Sequence, residues 1–222
     1  MKVGFFGGSF DPPHCGHIAL ARLAMERVGL DRVLIAPVGS QPLKREDSAP
    51  FTDRVEMVRL AIAKEPRMEV SLVDAPRSDG RPNYTVNTIK ILRSALNPND
   101  TLFCLMGADS FLTIGKWHRS EVLLATCDFI VGSRPGFDLQ KIAAALPERV
   151  SLVTEASSAP GYLVIGLRSE SGRQSHLYLL PDLDEDISAT EIRMELQVGA
   201  KAAIDPAVSD YIAKHGLYQN SK

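Results

Sequence analysis

The sequence has few cysteines, almost no net charge and no long apolar run, and each shortage excludes a class of protein. Only Cys15, Cys104 and Cys127 are present, and this odd set without CxxC spacing favours a reducing compartment. Twenty-five Lys and Arg residues against 27 Asp and Glu give a formal charge of −2, too little to collect nucleic acid or anionic lipid at long range. No apolar run approaches the ~20 residues of a membrane helix, and no targeting signal is visible. We therefore expect a cytoplasmic protein without nucleic-acid or membrane partners.

What the sequence does contain is the composition of a globular domain, with 45% hydrophobic and 23% charged residues, which excludes collagen-like and disordered chains. Short apolar runs alternate with segments whose apolar residues recur at helical spacing. The predicted strands are 3–6, 33–37, 68–73, 101–106 and 129–131, and the predicted helices are 17–28, 52–62, 85–96, 121–125 and 139–146. This alternation predicts an α/β fold, Rossmann-like and doubly wound, with a mainly parallel sheet and helices on both faces.

The C-terminal third departs from this alternation. Two apolar stretches, 162–165 and 176–180, flank a polar segment that includes Gly172, which predicts a hairpin over 162–180 added to the sheet. A helical part follows over 188–222, with a helix beginning at Ser188 and a last one closed by Gly216. Because no repeat or low-complexity linker is present, we expect a single domain over 1–222.

The strongest indication of chemistry is the segment GGSFDPPHCGH at 7–17, between the first predicted strand and helix. Ligands of open α/β sheets bind beyond the carboxyl ends of strands, where paired glycines and a helix start present N–H groups to an anion. The segment is neither a Walker A loop nor GxGxxG. His14 and His17 lie about one helical turn apart and can face one bound group. Phosphate binding, a metal pair without an evident third ligand, and ordinary solvated or capping histidines all stay open.

Several other residues also have both a structural and a functional interpretation. In ISATEIR at 187–193, Ser188 and Glu191 form a capping box, while Arg193 lies where a guanidinium can reach an anion at the helix start. Thr85 and Asp109 can be ordinary helix caps or can present an N–H group and a carboxylate to a ligand. Trp117, the only tryptophan, can pack in the core or offer its face to a bound ring.

Both end motifs resemble those of one superfamily. GGSFDPPHCGH resembles the G-G-[ST]-F-D-P-x-H-x-G-H signature of the nucleotidylyltransferases, and ISATEIR resembles their ISxTxIR motif. The resemblance implies that His14, His17 and Arg193 are catalytic and contact the phosphates of ATP during adenylyl transfer. The further ATP-binding residues that it implies are Gly7, Gly8, Ser9, Phe10, Lys44, Gly107, Asp109, Ser188 and Thr190.

Between the motifs the chain resembles the bacterial nicotinate-nucleotide adenylyltransferases. NYTVNTI at 83–89 is similar to their [SP]-Y-T-x-x-T-[LI] element, which implies that the backbone amides of Tyr84 and Thr85 hold a nicotinate carboxylate. MGADS at 106–110 is similar to their G-x-D element, expected at the adenosine ribose. Trp117 occupies the position of an indole that stacks on the pyridine ring, and Arg134 belongs to a turn similar to their R-P-G element.

Two positions depart from this family pattern. QPLK at 41–44 stands where the family usually has P-P-H-[KR], so Lys44 keeps the cation but the histidine is replaced by Leu43. His118 follows Trp117, where many members have tyrosine.

The resemblance implies an enzyme that transfers AMP from ATP to nicotinate mononucleotide, giving nicotinate adenine dinucleotide and pyrophosphate in NAD biosynthesis. Mg²⁺ is expected to accompany ATP, held mainly by its phosphates and not by side chains. Two alternatives stay open. One is another adenylyl- or cytidylyltransferase of the superfamily, with a nicotinamide mononucleotide or phosphopantetheine acceptor, and the other is a non-catalytic nucleotide-binding module. The partners expected are thus ATP and nicotinate mononucleotide, and homo-oligomerisation is left open.

Overall fold

The computed structural model describes residues 1–41, 49–133, 139–159, 161–181, 183, 188–198, 200 and 202–219. The strands in this part of the chain are β1 (Lys2–Gly8), β2 (Arg32–Pro37), β3 (Met68–Val70), β4 (Thr101–Gly107), β5 (Asp128–Gly132), β6 (Val150–Ala159), β7 (Tyr162–Ser169) and β8 (Gln174–Leu180). The helices are α1 (Cys15–Arg27), α2 (Phe51–Ala61), α3 (Thr85–Ala95), α4 (Ala108–Phe111), α5 (Ser120–Leu124), α6 (Leu139–Ala145), α7 (Ala189–Gln197) and α8 (Pro206–His215), with a 3₁₀ turn at Ile114–Lys116.

All eight strands belong to one sheet in the order β3-β2-β1-β4-β5-β8-β7-β6. The pairs from β3 to β8 are parallel, and β7 is antiparallel to both β8 and β6. After β1 the chain adds β2 and then β3 on one side of β1, and β4 and β5 follow on the other side of β1. The strand order therefore reverses between β1 and β4, which is where doubly wound sheets bind ligands. The predicted α/β class with a mainly parallel sheet is confirmed.

The two faces of the sheet bury different helices because alternate strand residues point to opposite sides. On β1, Phe5 belongs to a core with α3 residues such as Ile89, whereas Phe6 belongs to a core with α1 residues such as Leu20. A third cluster, which includes Met57 and Val208, joins α2 to α8. Within the described residues, no helix is long and apolar enough to cross a membrane.

The predicted hairpin consists of β7 and β8, paired antiparallel through residues such as Leu163 and Leu179. The predicted hairpin near the C-terminal end of the sheet is thereby confirmed, and its strand β8 also runs parallel to β5 and continues the main sheet. Strand β6, which pairs with β7, is not predicted by the sequence pattern. The pairing register of β6 and β7 shifts between Val153 and Ser157, as at a β-bulge. A strand with such an irregularity does not show the continuous alternation of apolar and polar residues that predicts a strand from sequence.

A buried arginine ties the carboxyl ends of two strands to α2. Arg54 is 1% exposed and donates from Nη1 to the carbonyl of Ser9 at 2.7 Å, from Nη2 to that of Val38 at 2.9 Å and from Nε to that of Ala49 at 3.2 Å. Ser9 follows β1 and Val38 follows β2. These bonds offset the cost of burying the guanidinium and fix the chain at the edge where a ligand is expected.

We expect Arg54→Met to destabilise the protein by about 3 kcal/mol or more, because each buried carbonyl left without a donor costs about 1–3 kcal/mol. The matched control is Arg59→Met on the same helix, since Arg59 is exposed and pairs with exposed Glu56 at 3.3 Å. That variant should change stability by no more than about 0.5 kcal/mol. Urea unfolding measures both. Equal losses in the two variants would contradict the role given to Arg54.

Candidate active site

The segment between β1 and α1 carries most of the predicted phosphate-binding residues. After Gly8 the chain turns through Phe10, whose φ of 50° is rare for a residue with a side chain and is typical of constrained functional segments. The Phe10 ring is 2% exposed and packs against Phe6 and His17, with ring centroids 5.4 and 4.9 Å apart. A buried aromatic ring thus fixes the turn that leads into α1.

The two histidines meet at the start of α1. His14 occupies the N-cap position, and its backbone N–H donates to Nδ1 of His17 at 3.2 Å. The ring centroids lie 3.7 Å apart with 32° between the ring planes. Because Nδ1 of His17 accepts a hydrogen bond, the proton of the neutral His17 ring belongs on Nε2. The structure therefore brings His14 and His17 together, as the helical spacing predicts.

His14 is a buried polar residue with an unsatisfied ring nitrogen in the described part of the chain. Its side chain is 8% exposed, and Nδ1 has no hydrogen-bond partner within the described part of the chain. Burial lowers the pKa of His14 to about 4, so the imidazole is neutral near pH 7. Buried polar atoms are nearly always hydrogen-bonded in native proteins, so an orphaned ring nitrogen at a helix start is suited to a bound polar group.

The C-terminal motif converges on the same segment. Arg193 donates from Nη1 to the carbonyl of Asp11 at 2.7 Å and from Nη2 to Oγ1 of Thr190 at 3.2 Å. Asp11 lies three residues before His14, so the guanidinium stands beside the segment that carries the imidazoles. The capping box at the start of α7 is also formed, with Glu191 N donating to Oγ of Ser188 at 3.2 Å. The structural interpretation of Ser188 is thus correct, and its ATP-binding role stays a prediction.

The predicted ribose-binding element lies at the adjacent strand end. Gly107 is the last residue of β4 and precedes α4, and Asp109 is exposed in the first turn of that helix. A Cβ atom placed on Gly107 would meet no described atom within 4 Å, so the strand end is open toward solvent. The structure places Gly107 at the ligand-binding edge next to β1.

The predicted acceptor residues meet near the start of α3. Tyr84 is the N-cap residue and Thr85 the first residue of α3. The Tyr84 ring contacts the His118 ring, with centroids 4.1 Å apart and 32° between planes. Trp117 is half-buried, and its Nε1 donates to Oγ1 of Thr113 at 3.1 Å. The structure thus brings together the start of α3 and the segment that carries Trp117. The contacts of these residues with nicotinate stay predictions.

Two predicted residues, Lys44 and Arg134, lie outside the described residues, so their roles stay predictions.

The metal-pair interpretation of His14 and His17 gains no further ligand, because the described ranges hold no group of three or more His, Cys, Asp or Glu residues that could bind a metal ion.

The sequence analysis missed several residues that position the site. Asn83 joins the loop after β2 to the start of α3: its N–H donates to the Ser40 carbonyl at 2.9 Å, and its Oδ1 accepts from Ser40 N at 3.2 Å. Thr88 donates its hydroxyl to buried Asp74, where burial raises the carboxyl pKa and this hydrogen bond opposes the rise. The position of polar Asn83 just before a predicted helix start could have indicated its role in joining the loop after β2 to α3. Nothing in the local pattern marks Asp74, because its partner lies in another element.

The chain is similar to known proteins over almost its whole length. The cytidylyltransferase-like family matches residues 5–195. A probable nicotinate-nucleotide adenylyltransferase of Laribacter hongkongensis is 37% identical over 99% of this chain and 96% of its own. A protein of the same name from Stenotrophomonas maltophilia is 36% identical over 97% and 96%. This chain belongs to the nicotinate-nucleotide adenylyltransferase family. The resemblance found in the sequence is thereby confirmed.

Solved structures of family members share the fold. The nicotinic acid mononucleotide adenylyltransferase of Plasmodium falciparum, complexed with NaAD, superposes with a TM-score of 0.69 at 21% identity, covering 98% of this chain and 97% of that one. The same enzyme complexed with APC gives a TM-score of 0.67 at 20% identity, over 98% and 96%. These likenesses support the nucleotidylyltransferase architecture for the whole described chain.

The depressed pKa of His14 makes stability depend on pH. Between the ordinary value of 6.5 and about 4, the unfolded state binds more protons than the folded state, so stability is complete above pH 6.5 and falls as pH drops through this window. We expect the protein to lose about 2 kcal/mol of unfolding free energy at pH 5 through His14 alone. Urea unfolding at pH 7.5 and pH 5 should therefore show a smaller drop for His14→Gln than for the wild type. An equal drop would contradict this assignment.

Proposed function

We propose that this protein transfers AMP from ATP to nicotinate mononucleotide, producing nicotinate adenine dinucleotide and pyrophosphate for NAD biosynthesis. The observation that carries this proposal is that two motifs from opposite ends of the chain converge: Arg193 bonds the backbone of Asp11, three residues before His14, whose ring lies against that of His17. The names of the related proteins support nicotinate mononucleotide as the acceptor. Site and relatives thus agree on one reaction class.

The reaction needs donors and alignment but no general base. An oxygen of the acceptor's 5′-phosphate, already ionised, attacks the α-phosphorus of ATP. The bond from that phosphorus to the oxygen bridging to the β-phosphorus breaks, and pyrophosphate leaves with the electron pair. The protein must hold nucleophile and leaving group in line and neutralise the charge that develops on the phosphoryl oxygens.

The phosphate-binding residues suit this task by supplying N–H donors of two kinds. His14 is neutral near pH 7 and can donate a ring N–H without carrying a full charge. Arg193 supplies the guanidinium, and its bonds to Asp11 and Thr190 fix that group in place before ATP binds. We assign His14 and His17 to the α-phosphate and adjacent oxygens, and Arg193, with Ser188 or Thr190, to the β- and γ-phosphates. Lys44 is assigned to an additional phosphate contact.

The remaining ATP contacts follow from position along the same edge. Gly7 and Gly8 end β1, and Ser9 and Phe10 begin the turn that follows it. Ser188 and Thr190 lie at the start of α7, and Gly107 with Asp109 is assigned to the ribose. Mg²⁺ enters as part of the ATP substrate and is held chiefly by the phosphates, because it dehydrates reluctantly and rarely sits in an all-protein cage.

The acceptor site is assigned to the region around α3. The first N–H groups of a helix have no partner within the helix and favour a carboxylate, so Tyr84 and Thr85 can distinguish nicotinate from its uncharged amide. Trp117 offers an indole face to the pyridine ring, and Arg134 is assigned to the same substrate. The expectation that this reaction takes place in the cytoplasm, without nucleic acid or membrane, stays a prediction.

The test is pyrophosphate release with ATP and three acceptors: nicotinate mononucleotide, nicotinamide mononucleotide and phosphopantetheine. We expect the acid to exceed its amide at least about tenfold in kcat/KM, since a charge-assisted hydrogen bond contributes about 1.5–3 kcal/mol. Chromatography should find a dinucleotide in amounts equal to the pyrophosphate. Turnover of phosphopantetheine alone would reassign the acceptor, and ATP binding without pyrophosphate release would indicate a non-catalytic module.

A further inference from the structure

The C-terminal segment of the chain holds the phosphate-binding turn through a buried carboxylate. Asp11 is 4% exposed, and its Oδ1 accepts the phenol of Tyr218 at 2.7 Å and the backbone N–H of Ala49 at 3.1 Å. Its Oδ2 lies 3.9 Å from Nη1 of Arg193. The carboxylate therefore joins the turn before His14 to three elements that are distant in sequence.

Tyr218 is placed for this contact by the end of α8. Gly216 adopts the left-handed conformation that closes the helix, and Leu217 N donates to the Ile212 carbonyl at 3.1 Å. Tyr218 itself has a φ of 61° and packs against the apolar cluster between α2 and α8. Burial, followed by the contact with Asp11, raises the pKa of the Tyr218 phenol well above its ordinary range. The phenol is thus a permanent hydrogen-bond donor.

A second contact from the same part of the chain lies on the other side of His14. The backbone N–H of Cys15, the first residue of α1, donates to the carbonyl of Ala203 at 3.0 Å. Ala203 and Tyr218 therefore contact the chain immediately after and shortly before His14. Both contacts come from residues 202–219, whose helix α8 packs on α2.

We propose that Tyr218 is a positioning residue for adenylyl transfer, whose phenol holds Asp11 and, through it, the backbone that presents His14 and the guanidinium of Arg193 to ATP. This inference rests on the function proposed above and assigns the C-terminal segment a part in it. Tyr218 acts only through Asp11 and does not itself contact substrate.

Loss of the phenol has a specific consequence for Arg193. In the present arrangement Nη1 donates to the Asp11 carbonyl at 2.7 Å and lies 3.9 Å from the carboxylate. A buried carboxylate that loses one of its donors attracts the nearest cation more strongly, because its charge is then less compensated. Without Tyr218 the guanidinium turns toward Oδ2 of Asp11 and away from the position of the phosphates, and the turn before His14 loosens.

The experiment compares Tyr218→Phe with the matched control Tyr211→Phe. Tyr211 lies on α8 and its phenol donates to Asp53 on α2 at 2.8 Å, so each variant removes one phenol–aspartate bond made by the C-terminal segment. We expect Tyr218→Phe to lower kcat about 10–100-fold, the range caused by misplacement of a catalytic group, with KM for nicotinate mononucleotide unchanged within about twofold. Tyr211→Phe should keep the wild-type kcat. A wild-type kcat for Tyr218→Phe, or equal losses in both variants, would overturn the proposal.

A second measurement separates this proposal from the proposed function. Hydrogen exchange of the backbone amides of residues 9–15, followed without substrate, should be faster in Tyr218→Phe than in the wild type and unchanged in Tyr211→Phe. If the wild type does not convert nicotinate mononucleotide, the proposed function fails, yet the exchange rates still decide whether Tyr218 holds the turn. Unchanged exchange in Tyr218→Phe would overturn the positioning role whatever the substrate.

Discussion

A carboxylate taken out of water must be paired, and the carboxylate of Asp11 lies at the crossing from β1 to α1 where the site is built. Its partners are the backbone N–H of Ala49, two residues before α2, the guanidinium of Arg193 on α7 and the phenol of Tyr218 beyond α8. Buried Arg54 satisfies the carbonyl of Ser9 two residues earlier. The turn that leads to the histidines is therefore fixed by long-range polar contacts, and the order of the parallel sheet brings those contacts into reach.

This arrangement explains how one site can offer a phosphate several kinds of donor without a catalytic base. Burial keeps His14 neutral near pH 7, so it contributes an N–H group and no charge. Arg193 supplies a cationic guanidinium that is oriented by the Asp11 carbonyl and the Thr190 hydroxyl. A transferring phosphoryl group needs charge neutralisation in a fixed geometry more than proton transfer, so this division between neutral and cationic donors fits the chemistry.

The features found from sequence are those that local patterns encode. Helical and strand periodicity located most of the parallel sheet, and two motifs located the histidines and Arg193. The start of α1 was placed at His17 although the helix begins at Cys15, because histidine is not a usual N-cap residue. The missed features depend on distant parts of the chain: β6 forms only against β7, and Tyr218 matters only because the fold returns it to Asp11. Because both features depend on contacts between distant parts of the chain, no local sequence pattern indicates either of them.

The imidazole pair is tested most directly by the steady-state kcat of His17→Ala, measured as pyrophosphate release at saturating ATP and nicotinate mononucleotide. Exposed His215 at the end of α8 provides the control variant, His215→Ala. Since removal of one transition-state donor costs about 10²–10³ in rate, we expect kcat to fall about a hundredfold or more while the unfolding transition persists. The control should retain wild-type turnover. Near-normal turnover by a folded His17→Ala protein would contradict the assignment of the β1–α1 turn to the reacting phosphates.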